Sequence, residues 1–161
     1  MSDLHKRLKS ELPRLIRYST ALTGDADQAL DLAEDTILEA LADDQGAPSG
    51  VDFRVWLLTV LHQHRRNPFR QINPLSGSPH PEIDGAAMRS LSALQQAMGR
   101  LPEEQRAALL LVGLEGLSYS ETAVILRTSP GAVRARLARG RENLRRALGG
   151  ATNASYRREA A

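Results

Sequence analysis

The sequence contains no cysteine, only 4% aromatic residues and no long apolar run. Without cysteine the chain has no disulfide framework, no thiolate nucleophile and no Cys-ligated metal. No stretch of about 18 apolar residues could cross a bilayer, and the N-terminus leads into no apolar signal core. The content of 42% hydrophobic and 25% charged residues is that of an ordinary globular protein. We therefore expect a cytoplasmic protein without membrane insertion.

Charge is distributed unevenly along the 161 residues, although the net charge is only +2. Residues 1–67 contain 8 basic and 11 acidic side chains, whereas residues 68–161 contain 13 basic and 8 acidic ones. Between residues 127 and 148, Glu142 is the only acid among seven arginines. An acidic first half and a basic second half suggest two different partners.

The stretch 67–85 separates two helical parts of the chain. It contains four prolines and two glycines, which exclude a continuous helix. A loop of this length inside one compact domain would be unusual. The sequence therefore predicts an all-α protein of two small helical domains: a first domain at 1–66, a flexible Pro/Gly-rich linker at 67–85, a second domain at 86–149 and a tail at 150–161.

Apolar residues recur with helical period in both predicted domains, and no segment alternates as a strand would. In the first domain we expect helices near 3–21, 25–41 and 52–66. In the second domain we expect helices near 86–98, 102–115, 119–126 and 130–148. Pro102 suits a first helical position and Gly116 a left-handed C-cap.

A helix-turn-helix is predicted at 118–148. Ser118 and Glu121 fit a capping box for a short helix that ends at Leu126, and Ser129 with Pro130 begins a second helix after a tight turn. The second helix has one apolar stripe, formed by Val133, Leu137, Gly140, Leu144, Ala147 and Leu148. The rest of its surface is almost entirely alanine and arginine. Small residues between arginines would let this helix enter a DNA major groove, which is about 12 Å wide.

These segments resemble region 4 of the extracytoplasmic-function (ECF) sigma factors, which belong to the sigma-70 family. The resemblance rests on LPEEQR at 101–106, EGLSY at 115–119 and SPGAVRARLARGRENLR at 129–145. It implies that the second domain reads the minus-35 promoter element and contacts the β flap of RNA polymerase. By the same resemblance, the base-contacting positions are Arg134, Ala135, Ala138 and Arg139. Arg136, Arg141 and Arg145 suit phosphates. Arg127 replaces the usual turn glycine, and Ala132 and Ala135 replace hydroxyl-bearing residues.

The segment TGDADQALDLAEDTIL at 23–38 resembles sigma region 2, whose acidic helix docks on the clamp coiled coil of the polymerase β′ subunit. A helical wheel places Ala29, Leu30, Ala33, Ile37, Ala40 and Leu41 on one side, and the acids on the other. Leu32 and Leu38 lie among the acids on this wheel. Apolar residues surrounded by charge of one sign could dock a basic partner. The predicted polymerase-binding residues are Asp31, Leu32, Glu34, Asp35 and Leu38. The alternative is an ordinary amphipathic helix.

The segment FRVWLLTVL at 53–61 resembles the start of the helix that, in sigma factors, continues into minus-10 recognition and strand separation. Pro68 interrupts the basic continuation that is usual in the family. Strand separation requires cations that hold the strand. The candidates for minus-10 contacts are His62, His64, Arg65 and Arg66.

Enzymatic functions are not supported by the sequence. There is no Gly-rich phosphate loop and no His pair at i, i+4, so no catalytic residue, metal site or cofactor is predicted. The resemblance to the ECF sigma factors implies a protein that binds core RNA polymerase and promoter DNA and is held inactive by an anti-sigma factor. Two alternatives remain: a sigma-like decoy that sequesters an anti-sigma factor, and a plain helix-turn-helix regulator.

Overall fold

A computed structural model describes residues 3–43, 45–66 and 85–159 of the chain. The described residues form helices joined by turns and loops and contain no strand, which confirms the predicted all-α class. The α-helices, in chain order, are α1 (Asp3–Thr23), α2 (Ala26–Ala42), α3 (Phe53–Arg65), α4 (Gly85–Arg100), α5 (Glu103–Leu109), α6 (Tyr119–Leu126) and α7 (Pro130–Glu159). A π-helical turn at Leu110–Leu114 extends α5. None of these helices is long and apolar enough to span a bilayer.

Side-chain caps set most of the helix starts. Asp25 accepts a hydrogen bond from the amide of Gln28, and Asp52 caps α3 in the same way. Ser118 accepts from the amide of Glu121, so the predicted start of α6 is confirmed. Ser129 accepts from the amide of Ala132 at the start of α7. Each cap satisfies an amide that has no partner inside its helix.

Three boundaries differ from the sequence prediction or lie outside the described part. Pro102 has an extended backbone and is the N-cap of α5, one position before the predicted place. The last helix continues to Glu159, so the segment predicted as a tail after 149 is helical through that residue. The segment 67–84, which makes up all but the last residue of the predicted linker, is outside the described residues.

The core runs without interruption from α1–α3 to α5–α7. Its first part is formed around Tyr18, Leu22 and Leu61, and its second part around Ile125 and Leu137, all of which are buried. Helices α1 and α2 pack closely, as do α2 and α3, and α3 lies against α6. The two predicted domains are therefore in direct contact. We call the group α1–α3 the N-terminal half and the group α4–α7 the C-terminal half.

Candidate nucleic-acid interface

Helix α7 presents the alanine and arginine surface that the sequence predicts. Its inner side is held against α5 and α6, because Val133 and Leu137 are fully buried and Gly140 lies against the side chain of Leu109. A Cβ atom at position 140 would stand 3.0 Å from Leu109 Cδ1, so glycine permits this close packing. The predicted stripe is confirmed at these three positions, and Leu144, Ala147 and Leu148 are half-buried.

Most of the predicted DNA-binding side chains point away from this buried stripe. The exposed members of the set are Arg134, Ala135, Ala138, Arg139, Arg141 and Arg145. Arg136 is half-buried, and its Nη2 lies 3.5 Å from Glu104 Oε2. Arg145 and Arg146 both pair with Glu142 at 3.0 Å. The arginines on the outer face of α7 therefore form an exposed cationic surface, with Arg136 held to one side by an acid.

The turn before α7 contains a strained residue. Arg127 ends α6 with a φ of 52° and a ψ of 51°, in the left-handed region that favours glycine. Its amide donates to the carbonyls of Ala123 and Val124 in the last turn of α6. This backbone conformation therefore has a steric cost for Arg127 that a glycine at the same position would not have.

Helix α2 differs from the helical wheel drawn from the sequence. Leu32 is only 1% exposed and belongs to the core, so its predicted place on a docking surface is wrong. Leu30 and Leu41 were assigned to the core side and are instead exposed at 45% and 37%. The buried side is defined by small residues, Ala29, Ala33, Thr36 and Ala40, which let α2 approach its neighbours closely. A helical wheel centred on these small residues, and not on the leucines, predicts the buried face of α2 correctly.

The outer side of α2 nevertheless combines acids with apolar residues. Leu38 is 64% exposed, and Asp31 and Glu34 are exposed near it, whereas Asp35 is half-buried. We call the exposed set Leu30, Asp31, Glu34, Leu38 and Leu41 the acidic apolar patch. Three leucines exposed among carboxylates form a surface that could dock a basic partner.

The end of α3 is partly inaccessible. His62 is only 3% exposed, and its Nε2 lies 2.8 Å from the hydroxyl of Tyr18. Burial, together with the neighbouring charges of Arg66 and Arg65, lowers the pKa of His62 to about 3. His62 is therefore neutral at pH 7 and inside the protein, so its predicted contact with promoter DNA is wrong.

Among the other three candidates, both arginines donate hydrogen bonds to the C-terminal half, whereas Nε2 of His64 is buried without a hydrogen-bond partner among the described residues. His64 lies 3.6 Å from Glu39 of α2. The guanidinium of Arg65 binds both carboxylate oxygens of Glu103, at 2.9 and 3.1 Å. Arg66 donates to the carbonyl of Ile125 at 3.4 Å. Both arginines thus reach from the N-terminal half to the C-terminal half.

A buried carboxylate lies elsewhere in the same contact between the halves. The side chain of Glu115 is 1% exposed, with Arg14 at 3.6 Å and Arg17 at 4.0 Å. Burial raises the pKa of Glu115, while the nearby arginines act in the opposite direction. Arg54 donates to the backbone carbonyl of Glu115 at 3.1 Å. Sequence patterns could not predict this contact, because its members lie up to about a hundred residues apart.

Comparisons with known proteins agree with this architecture. The family model "Sigma-70, region 4" matches residues 91–144, and the "Sigma2 domain of PhyR" matches residues 8–62. The ECF RNA polymerase sigma factor EcfG of Rhodopseudomonas palustris is 30% identical over 150 residues, which are 88% of this chain and 83% of EcfG. The ECF RNA polymerase sigma factor SigM of Mycobacterium tuberculosis is 34% identical over 153 residues, which are 91% of this chain and 76% of SigM.

A solved structure shows the same fold. It is the sigma factor RpoE in complex with the anti-sigma factor NepR from Bartonella quintana, with a TM-score of 0.76 and 27% identity. The match covers 92% of this chain and 98% of that one. The chain therefore belongs to the ECF sigma factors of the sigma-70 family, and its function is transcription initiation.

Proposed function

We propose that this sigma factor reads the minus-35 promoter element with α7 and binds core RNA polymerase through α2. The observation that carries the proposal is the exposed alanine and arginine face of α7. Its buried side fixes the helix in the fold, while four exposed side chains face outward: Arg134, Ala135, Ala138 and Arg139. Guanidinium groups at Arg134 and Arg139 suit guanine edges, and Arg141 and Arg145 suit phosphates.

Core RNA polymerase is the proposed protein partner, through its β′ clamp coiled coil and its β flap. The acidic apolar patch is the part of α2 that fits the clamp contact, with Leu38, its most exposed leucine at 64%, in place of the buried Leu32. Asp35 is half-buried and would contribute at the border of the patch. The catalytic chemistry would belong to polymerase, so we propose that the chain is not an enzyme and acts in the cytoplasm.

An anti-sigma factor is a further proposed partner. The related RpoE of Bartonella quintana is in complex with the anti-sigma factor NepR. A decoy that only sequesters an anti-sigma factor is less well supported, because the relatives at 30% and 34% identity are ECF RNA polymerase sigma factors.

Run-off transcription with core polymerase and the wild-type chain tests the proposed function. Promoter-specific product is expected.

Arg139→Ala should cost about 1 to 3 kcal/mol of binding to the specific promoter if Arg139 contacts a base. An equal loss on random DNA would make Arg139 a phosphate contact instead. If about four arginines neutralise phosphates, a plot of log affinity against log salt should have a slope of about −3.6, and a slope near zero would contradict DNA binding.

The polymerase contact has a separate test. Leu38→Asp should abolish capture of core polymerase while leaving duplex binding intact, because it places a charge where an apolar side chain would dock. Gln63→Asp, at an exposed position of α3, introduces the same charge outside the patch as a control. Unchanged capture by the Leu38 variant would contradict the docking role of α2.

A further inference from the structure

The turn that joins α6 to α7 contains a cation at a position where the backbone favours glycine. Arg127 has a φ of 52° and a ψ of 51°, a conformation with a steric cost for any residue that carries a Cβ atom. It is the only non-glycine residue with a positive φ in the described part of the chain. Strained residues of this kind cluster at functional sites. The side chain of Arg127 is therefore a candidate functional group.

The side chain of Arg127 belongs to a group of cations that the protein neutralises only in part. It is exposed and forms no ion pair with a described residue. Burial and the charges of Arg127 and Arg136 lower the pKa of Arg66, while Glu103 and Glu104 act in the opposite direction. Of these two acids, Glu104 pairs with Arg136 and Glu103 with a further arginine. The excess of positive charge beside the turn attracts an anion.

The turn lies at the edge of the proposed DNA-binding face of α7. Arg127 stands three positions before Pro130, the first residue of α7, and Arg134 is exposed in the second turn of that helix. In a helix-turn-helix the second helix enters the major groove and the first helix crosses the DNA backbone. The turn between them therefore lies beside the phosphates that border the groove. A guanidinium group in this place suits phosphate oxygens.

We propose that Arg127 binds a phosphate of duplex DNA at the border of the groove that α7 enters. This inference rests on the proposed DNA-binding role of α7 and adds to it a residue that lies outside α7. The DNA contact offsets the steric cost of an arginine in this conformation. A phosphate contact carries no sequence information, so Arg127 contributes to affinity and orientation and not to the choice of promoter.

Binding of the full chain to a random-sequence duplex tests this proposal, because a phosphate contact forms on any sequence. Three variants separate the charge of Arg127 from its backbone strain. Arg127→Gly removes both the charge and the steric cost, Arg127→Gln removes the charge alone, and Arg127→Lys keeps the charge. Lys9→Gln is the control, since it removes one positive charge at an exposed position of α1 in the N-terminal half.

We expect Arg127→Gly and Arg127→Gln to bind the duplex about three- to tenfold more weakly than wild type, because one phosphate contact is lost. Their plots of log affinity against log salt should be less steep by about 0.9. The ratio of wild-type to variant affinity should therefore fall about 3.5-fold as salt rises from about 50 to about 200 mM. Arg127→Lys should retain most of the affinity, and Lys9→Gln should keep the wild-type salt dependence.

Urea denaturation gives a second measurement, which separates the glycine and glutamine variants. Arg127→Gly should raise the urea midpoint, because glycine adopts the left-handed conformation without a steric cost. Arg127→Gln should not raise it, because glutamine also carries a Cβ atom. Weaker DNA binding in a variant that is more stable than wild type cannot result from unfolding.

Unchanged affinity and salt dependence in Arg127→Gln would overturn the proposal. An equal loss in Arg127→Gln and Lys9→Gln would also overturn it, since the effect would then come from net charge. If Arg127 acts only at the carbonyl end of α6, Arg127→Gln would lower the urea midpoint without weakening DNA binding, which is a third contrary result.

Failure of the proposed function has a different outcome. A wild-type chain that does not bind the duplex would overturn the DNA-binding role of α7 together with this inference. A wild-type chain that binds with a steep salt dependence, and an Arg127→Gln variant that binds equally well, would overturn the role of Arg127 alone.

Discussion

The buried histidine of α3 makes the stability of this protein depend on pH in a calculable way. His62 is 3% exposed, contacts the hydroxyl of Tyr18, and has its pKa lowered from 6.5 to about 3. Between these two values the unfolded chain binds a proton at position 62 that the folded chain does not bind. The free energy of unfolding is therefore unaffected by His62 above pH 6.5 and decreases as the pH falls below that value. The decrease ends below about pH 3, where the folded chain also binds the proton.

The magnitude follows from the two pKa values. One pKa unit corresponds to about 1.4 kcal/mol, so the shift of His62 sets a ceiling of about 5 kcal/mol. Between pH 7 and pH 5 the unfolded state gains most of one proton while the folded state gains almost none. The free energy of unfolding should therefore fall by about 2 kcal/mol over this interval on account of His62 alone.

Urea denaturation at the two pH values, with wild type and His62→Gln, measures this effect. Glutamine keeps a polar group near Tyr18 but cannot titrate, so the variant should lose about 2 kcal/mol less than wild type between pH 7 and pH 5. A cost of repacking around position 62 lowers the free energy of unfolding of the variant equally at both pH values, so it does not affect the change between pH 7 and pH 5. His64→Gln, which removes a half-buried histidine of the same helix, should retain the loss due to His62. An identical pH dependence in wild type and His62→Gln would refute the reasoning.

Three other substitutions test local features. Arg127→Gly should raise the free energy of unfolding by about 1 kcal/mol, because glycine adopts the φ of 52° without the steric cost that arginine incurs there; destabilisation in urea would contradict this. Leu32→Ala should destabilise the protein by about 2 to 5 kcal/mol because the side chain is buried, whereas Leu30→Ala, at 45% exposure, should change it by less than about 0.5 kcal/mol. Equal costs for the two leucines would contradict the orientation of α2.

Much of the C-terminal half could be predicted from the sequence because its signals are local. Ser118 and Ser129 cap helices through bonds to amides three residues ahead, and Gly116 adopts a left-handed φ of 67°. The alanine and arginine face of α7 follows from helical periodicity once Val133 and Leu137 are assigned to the core. These features depend on residues that lie within a turn or two of each other.

The remaining features depend on contacts between residues far apart in the chain. The wheel of α2 could be centred on its leucines or on its alanines, and only packing against α1 and α3 places Leu32 inside and Leu30 outside. His62 is neutral because Tyr18 and the surrounding core bury it. Arg65 and Arg66 lie beside each other in a basic end that suggests DNA, yet Glu103 and Ile125 are the groups they bind. The sequence by itself determined the helices and their charged faces, because hydrogen bonds and periodicity act locally. Only the tertiary structure decided which of those faces are covered, because burial depends on neighbours that sequence spacing does not specify.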